Sequence, residues 1–208
     1  MEINGLAAIV TGGGSGLGAE TARQLAAKGA KVALFDVNME GAEAVAAEIG
    51  GIAIECDVTS DEGVAAAIAK AQEAHGVGRI IINAAGIAPA KRIVDREGNA
   101  TSLDYFRKGI EINLVGTDNV MSKAAAEMSK ADPVNDDNER GVVISTGSIA
   151  TQEGQVGQAS YSASKMGLMG MMLPAAREFT RFGIRVNTIN PGVFETPMLT
   201  NMPAEVQE

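Results

Sequence analysis

The sequence predicts an α/β fold, with one parallel β-sheet enclosed between two layers of helices in a single domain. Short apolar runs, partly β-branched, alternate along the chain with longer Ala-rich stretches whose apolar residues recur at helical spacing. A glycine-rich turn directly follows the first apolar run. The chain has 208 residues, enough for one domain with a substantial core but too few for two ordinary domains.

Six apolar runs predict strands. Each run is continuous rather than alternating, which is typical of a strand covered on both faces in a parallel sheet. The runs cover residues 7–10, 32–35, 52–55, 79–82, 142–145 and 186–189.

Five stretches predict helices between these strands. They cover residues 16–28, 39–49, 61–75, 103–130 and 160–182. Strand-helix alternation implies parallel strands joined by right-handed crossovers, hence a doubly wound, three-layer αβα arrangement. Residues 87–99 and 131–141 contain proline and mixed polar residues and predict surface loops, the second a solvated connection. In such a sheet, ligands bind outside the carboxyl ends of the strands.

Composition limits the classes of partner. The formal net charge is −9 and no Lys/Arg-rich run occurs, so nucleic acid is not expected as a partner. No basic leader or membrane-length apolar run is seen, so we expect no membrane association and a cytoplasmic protein. The single cysteine, Cys56, has no metal-ligand pattern around it and predicts a small core residue, with no metal site. His75, the only histidine, is expected to end a helix before Gly76.

A glycine-rich turn after the first strand predicts a phosphate site. Gly12, Gly16 and Gly18 allow a tight turn and a close backbone approach, and the helix that follows aims free N–H groups at an anion. Many strand-to-helix turns carry glycines for structural reasons alone. Asp36, at the end of the second strand, is placed to bind both adenosine ribose hydroxyls, although alone it would be interpreted as a helix cap. No Lys or Arg occurs at 13–15 or 37–38 to neutralise a 2′-phosphate, so NAD is predicted over NADP.

A second group of residues predicts acid/base chemistry. Tyr161 and Lys165 are one helical turn apart, so the ammonium lies beside the phenol and favours the phenolate. Ser148 follows the fifth strand, where its hydroxyl can hold a substrate oxygen. Asn113 occupies a mid-helix position that disfavours asparagine. Alone, a Tyr-x-x-x-Lys pair is a common surface arrangement; together with the glycine turn it favours catalysis.

These motifs, in this order, resemble the short-chain dehydrogenase/reductase family over essentially the whole chain. The resemblance implies a Rossmann-like fold and an NAD-dependent enzyme that interconverts a secondary alcohol and a ketone. Tyr161 is then the proton donor and acceptor, and Asn113 holds a water in the proton relay. The cofactor residues implied are Gly12, Ser15, Gly16, Leu17, Gly18, Asp36, Asp57, Val58, Asn83, Ala84, Gly86, Tyr161, Lys165, Pro191, Gly192, Val193 and Thr196.

A narrower resemblance concerns the substrate. The stretches 154–165 and 173–177 and the loop near Asp132 are similar to type II 3-hydroxyacyl-CoA dehydrogenases, which implies a 3-hydroxyacyl thioester with Ser148, Gln158 and Tyr161 at the substrate. Steroids or other secondary alcohols remain alternatives, as does an NAD-binding sensor without turnover. The sequence given ends at Glu208, before the last strand and helix that this family normally carries.

The helix that follows Lys165 bears on self-association. Met166, Met169, Met171 and Met172 are expected to be core residues. In the family this helix packs against its copy in another subunit. The resemblance therefore implies a homodimer or homotetramer.

Overall fold

Residues 1–200, which the computed structural model describes, form one sheet of six parallel strands in the order β3-β2-β1-β4-β5-β6. The strands are β1 (Ala7–Thr11), β2 (Lys31–Asp36), β3 (Ile52–Glu55), β4 (Gly78–Asn83), β5 (Gly141–Thr146) and β6 (Ile184–Ile189). The α/β prediction is confirmed, and every predicted strand is present within two residues of its expected ends.

Helices cover both faces of the sheet. They are α1 (Gly16–Ala27), α2 (Met39–Ile49), α3 (Asp61–His75), α4 (Leu103–Ile110), α5 (Gly116–Lys130), α6 (Ala150–Glu153), α7 (Ala159–Phe179) and α8 (Pro197–Thr200). One core cluster joins the sheet to α1 and α2, and the other joins it to α3, α5 and α7. The strand order reverses between β1 and β4, and this reversal opens a crevice at the carboxyl edge of the sheet.

The two outer strands of the described sheet differ from the prediction. Residues of β6 alternate between buried and exposed, and β3 has a single fully buried residue, Ile54. The prediction that both faces of every strand are covered was therefore wrong for β3 and β6. Each has a neighbouring strand on one side only, so the helices shield it incompletely.

The long helix predicted for residues 103–130 is interrupted. Between α4 and α5, the segment Glu111–Val115 is a π-helix, and Asn113 is its central residue. A π-helical turn changes the hydrogen-bond pattern without ending the helix, and such turns are frequent at functional sites. At the other predicted long helix, α7 ends at Phe179 and one 3₁₀ turn, Thr180–Phe182, completes the expected range.

Most smaller expectations hold, and one fails. Cys56 is buried, and α3 ends at His75 with Gly76 at a φ of +85°. Met171 and Met172 pack partly buried against the core, but the core prediction was wrong for Met166, whose surface is 43% exposed. Among residues 1–200, no helix combines the length and apolar character needed to cross a membrane.

Candidate active site

A cavity of about 780 Å³ lies at the carboxyl edge of the sheet. The ends of all six strands contribute to its wall, because parallel strands bring their carboxyl ends to one edge. The glycine turn and Asp36 line one part of the cavity, and Ser148, Tyr161 and Lys165 line another. The structure therefore brings the two predicted groups of residues into one space.

The glycine turn is packed so closely that side chains are excluded. Gly12 has a φ of +64°, and a Cβ there would lie 2.8 Å from the backbone nitrogen of Ala85. A Cβ on Gly18 would collide with the Gly12 carbonyl oxygen. Ser15 caps α1 without using its side chain, and Gly16, Leu17 and Gly18 line the cavity. This turn presents the first N–H groups of α1 at an open cradle, which fits a pyrophosphate.

Asp36 is fixed at the end of β2 by two backbone amides. Oδ2 accepts a hydrogen bond from the Gly14 N–H and Oδ1 accepts one from the Asn38 N–H, each at 2.9 Å. The basic residues among those lining the cavity are Lys108 and Lys165, both on helices that pack against each other, α4 and α7. No basic side chain from the turn or from β2 faces Asp36, so this part of the cavity fits ribose hydroxyls better than a phosphate.

Two polar residues brace the sheet beneath the cavity. Thr11 is buried, and its Oγ1 accepts hydrogen bonds from the Ala84 N–H at 3.2 Å and the Ala85 N–H at 3.1 Å. Asn83 is also buried, and its Nδ2 donates to Ser145 Oγ at 3.4 Å. Asn83 does not line the cavity, so the structure supports a bracing contact, and direct cofactor binding by Asn83 stays a prediction.

Tyr161 and Lys165 share one face of α7. The Lys165 Nζ lies 5.8 Å from the centre of the Tyr161 ring and donates a hydrogen bond to the Thr146 carbonyl at 2.6 Å. That carbonyl belongs to the last residue of β5, so the ammonium joins α7 to the end of the sheet.

Ser148 lies just after β5, buried next to the cavity. Its Oγ accepts a hydrogen bond from the Ala150 N–H at 3.1 Å, and its own N–H donates to Asn190 Oδ1 at 3.2 Å. This bond uses one Oγ lone pair, so the hydroxyl proton and the second lone pair remain for a ligand. The neighbouring Ile149 N–H donates to the Pro191 carbonyl at 3.0 Å, so this turn is attached to the 190–196 segment.

Burial lowers the pKa of the Lys165 ammonium from 10.5 to about 8. The side chain is only 6% exposed, and desolvation favours the neutral amine. At neutral pH the group still carries its proton. A cation held in a poorly solvated position acts more strongly on a neighbouring phenolate than a cation in water does.

Asn113 lies behind the cavity wall, fully buried. Its Oδ1 accepts from the Ile87 N–H at 2.8 Å, and its Nδ2 donates to the Ile87 carbonyl at 2.9 Å and to Ser164 Oγ at 3.0 Å. Asn113 thus fixes the segment after β4 against α7. Its role in a proton relay stays a prediction.

Most predicted site residues line the cavity, with Asn83 and Asn113 behind it. Gln158 is in the wall, and its Oε1 accepts from the Gln155 N–H at 2.8 Å. Sequence reasoning missed lining residues from loops and helices without a motif, such as Lys108, Glu111, Glu153, Phe194, Met198 and Leu199. No sequence signal marks them, because their position depends on how α4, α6 and α8 pack. Among residues 1–200, no cluster of three or more His, Cys, Asp or Glu side chains could hold a metal ion.

Comparison with known proteins agrees with this geometry. The family model described as short chain dehydrogenase matches residues 6–207. The chain belongs to the short-chain dehydrogenase family. It is therefore an oxidoreductase, and short-chain dehydrogenases generally use NAD(H).

Individual relatives of this dehydrogenase cover nearly all of its length. It is 44% identical to human 3-hydroxyacyl-CoA dehydrogenase type-2 over 208 residues, 99% of this chain and 79% of the relative. It is 35% identical to the 2,5-dichloro-2,5-cyclohexadiene-1,4-diol dehydrogenase of Sphingobium indicum, over 95% of this chain and 76% of that one. The crystal structure of 3-hydroxyacyl-CoA dehydrogenase type-2 from Mycobacterium avium is 39% identical, with a TM-score of 0.90, covering 99% of this chain and 82% of that one.

The buried ammonium predicts a specific pH dependence of stability. The folded protein releases the Lys165 proton at about pH 8, whereas the unfolded chain holds it to about pH 10.5. Between these values the unfolded state binds more protons, so this group's contribution raises the free energy of unfolding as the pH rises, by roughly 3 kcal/mol. Urea denaturation at pH 7.5 and 10.5 measures the free energy of unfolding of the wild type and of Lys165→Met. The wild-type value minus the Lys165→Met value should be larger at pH 10.5 than at pH 7.5. The exposed Lys108→Met variant should follow the wild type; a flat or falling difference for Lys165→Met would contradict the assignment.

Proposed function

We propose that this dehydrogenase oxidises a secondary alcohol to a ketone with NAD⁺, or catalyses the reverse, and that its substrate is a 3-hydroxyacyl-CoA. The observation that carries the reaction is the shared cavity, in which Ser148, Tyr161 and Lys165 face the same space as the glycine turn and Asp36. The substrate class rests on the relatives named 3-hydroxyacyl-CoA dehydrogenase type-2. Gln158, in the wall near Tyr161, contributes to substrate binding.

The proposed mechanism uses three side chains of this chain. NAD⁺, when bound, supplies the hydride acceptor. The Tyr161 phenolate removes the hydroxyl proton of the alcohol, and the Lys165 ammonium stabilises that phenolate. Ser148 donates a hydrogen bond to the substrate oxygen as negative charge develops on that oxygen. The hydroxyl oxygen of Ser148 accepts a hydrogen bond from the Ala150 N–H, which orients the hydroxyl group. In ketone reduction the same groups act in reverse, and Tyr161 returns the proton.

Proton transfer by Tyr161 predicts the effect of removing one oxygen atom. Tyr161→Phe should lower kcat for 3-hydroxybutyryl-CoA by about 10³-fold, because the proton acceptor is lost. NADH formation followed at 340 nm measures this loss. The chain has one other tyrosine, Tyr105, which does not line the cavity, so Tyr105→Phe is the matched control and should retain wild-type activity.

Two outcomes would contradict this proposal. Equal rates for Tyr161→Phe and the wild type would exclude Tyr161 as the acid/base. A folded wild-type sample that binds NADH but turns over neither 3-hydroxybutyryl-CoA nor simple secondary alcohols would favour the sensor instead.

Cofactor preference rests on Asp36. Its carboxylate already accepts two amide hydrogens and keeps further lone pairs for ribose hydroxyls, while its charge repels a 2′-phosphate. Asp36→Asn should lower the ratio of kcat/KM for NAD over NADP by about 100-fold, as expected when a charged hydrogen-bond acceptor is lost and a repulsion is removed. Steady-state kinetics with both cofactors give this ratio. Equal losses for both cofactors would show that Asp36 only supports the Gly14 turn.

We also propose that two copies of the chain associate through α7. Met166, Gly170 and Leu173 lie at helical spacing on this helix, Met166 and Leu173 are exposed, and a Cβ on Gly170 would meet nothing within 4 Å. Small and apolar residues on one open helix face suit close packing against an identical helix. Asn113 and Ser164 hold the opposite side of the same helix, which keeps this face rigid.

This interface predicts a loss of self-association on adding charge. Leu173→Glu should convert a dimer or larger assembly to monomer, because an unpaired carboxylate would be buried between the two helices. Sedimentation velocity measures the change in mass. Val94→Glu, at an exposed aliphatic residue in the loop before α4, is the control and should leave the assembly unchanged. A wild-type monomer, or an unaltered assembly in Leu173→Glu, would contradict the proposal.

A further inference from the structure

A second groove, of about 510 Å³, runs beside the candidate active site. Arg92, Ile93 and Val94 form one side of it, and residues of the 150–162 segment form the other. We refer to it as the lateral groove. The sequence marked only its second side, through the stretch 154–165, and the proposed chemical step does not use it.

The two sides of the lateral groove are held together by backbone contacts. The Lys91 N–H donates to the Gly157 carbonyl at 2.8 Å, and Gly157 has a φ of +92° that favours glycine. On the first side, Val94 and Ala100 form an antiparallel bridge, and the Thr101 N–H donates to the Ile93 carbonyl at 2.9 Å. The groove is therefore a defined feature of the fold.

The lateral groove shares a wall with the catalytic cavity. Ala150, Gln155 and Gln158 line both spaces. Ala150 donates its N–H to the Ser148 hydroxyl oxygen, so the groove begins at a direct contact of the catalytic serine. The two spaces therefore adjoin each other next to Ser148.

The most exposed aliphatic side chains of the described residues lie at these two spaces. Among residues 1–200, the four most exposed large aliphatic side chains are Val156 at 78%, Val193 at 77%, Ile93 at 71% and Val37 at 68%. Val37 and Val193 line the cavity, while Ile93 and Val156 line the lateral groove. Exposed apolar groups collected at a concave surface indicate an apolar ligand.

Charge also separates the lateral groove from the rest of the surface. The chain carries 26 acidic residues, yet none lines the groove, and Arg92 is the one charged residue in its wall. A single cation suits neither a pyrophosphate nor a polyanion. An uncharged, flexible chain fits this lining best.

We propose that the lateral groove holds the acyl tail of the substrate, the hydrocarbon chain on the side of the reacting carbon away from the thioester. This inference rests on the proposed 3-hydroxyacyl-CoA substrate. A four-carbon acyl group has only a methyl group beyond its reacting carbon and stays within the catalytic cavity. Longer tails extend past Gln158 and contact Ile93 and Val156. The groove therefore affects the preference of the enzyme for substrates of different chain length and leaves the chemical step unaffected.

Chain-length kinetics test this assignment. Val156→Asp should lower kcat/KM for 3-hydroxydecanoyl-CoA by about tenfold, because a carboxylate in the groove disfavours burial of the tail's methylene groups. The value for 3-hydroxybutyryl-CoA should stay within about twofold of the wild type on the same reasoning. Ile93→Asp, on the opposite side, should give the same selective loss; both side chains are exposed, so neither change disturbs the core. Leu103→Asp is the control, because Leu103 is an exposed aliphatic residue that lines neither space. It should leave kcat/KM unchanged for both substrates.

The outcomes distinguish the groove from the proposed function. If both Val156→Asp and Ile93→Asp turn over the four-carbon thioester normally and keep the wild-type ratio of kcat/KM for the ten-carbon over the four-carbon substrate, only the proposal for the lateral groove is overturned. Equal losses for both substrates also overturn it, because the effect would then act on the catalytic cavity. Failure of the wild type to oxidise either thioester overturns the proposed function and this inference with it.

Discussion

The hydrogen bond from the Lys165 ammonium to the Thr146 carbonyl is the contact on which the candidate site depends. It joins α7 to the end of β5, and it does so without an acidic partner: none of the ion pairs found among residues 1–200 involves Lys165. A carboxylate in that position would cancel the positive charge. A neutral carbonyl orients the ammonium and leaves its charge to act on Tyr161, at the cost of burying a cation.

Positioning of the catalytic helix is distributed over several segments. Ser160 Oγ donates to the Phe106 carbonyl at 2.9 Å, and Ser164 Oγ, which donates to the Tyr161 carbonyl at 2.7 Å, accepts from Asn113. These contacts connect α7 to α4 and to the π-helical segment. The small hydroxyl side chains let the helices approach closely while each polar group is satisfied. The geometry of Tyr161 thus depends on residues that never reach the cavity.

The sequence predicts the sheet well because the determinants of a buried strand are local. Continuous apolar runs and Gly-rich turns mark the strand ends, and the ends of parallel strands must meet at one edge. The π-helical turn at Asn113 has no periodicity that separates it from an α-helix, and the exposure of Met166 depends on what packs beside α7. Similarly, Thr11 looks like any strand residue until Ala84 and Ala85 meet it. These features arise from tertiary contacts, which local patterns do not encode.

The turn that carries Ser148 is joined to the end of β6 and the segment after it by three hydrogen bonds. They run from the Gly147 N–H to the Ile189 carbonyl, from the Ser148 N–H to Asn190 Oδ1 and from the Ile149 N–H to the Pro191 carbonyl. Gly147 lies so close to the Asn190 side chain that no Cβ could be accommodated between them. The two segments are therefore packed directly against each other. The position of the segment after β6 therefore helps to fix the turn that presents the serine hydroxyl to the cavity.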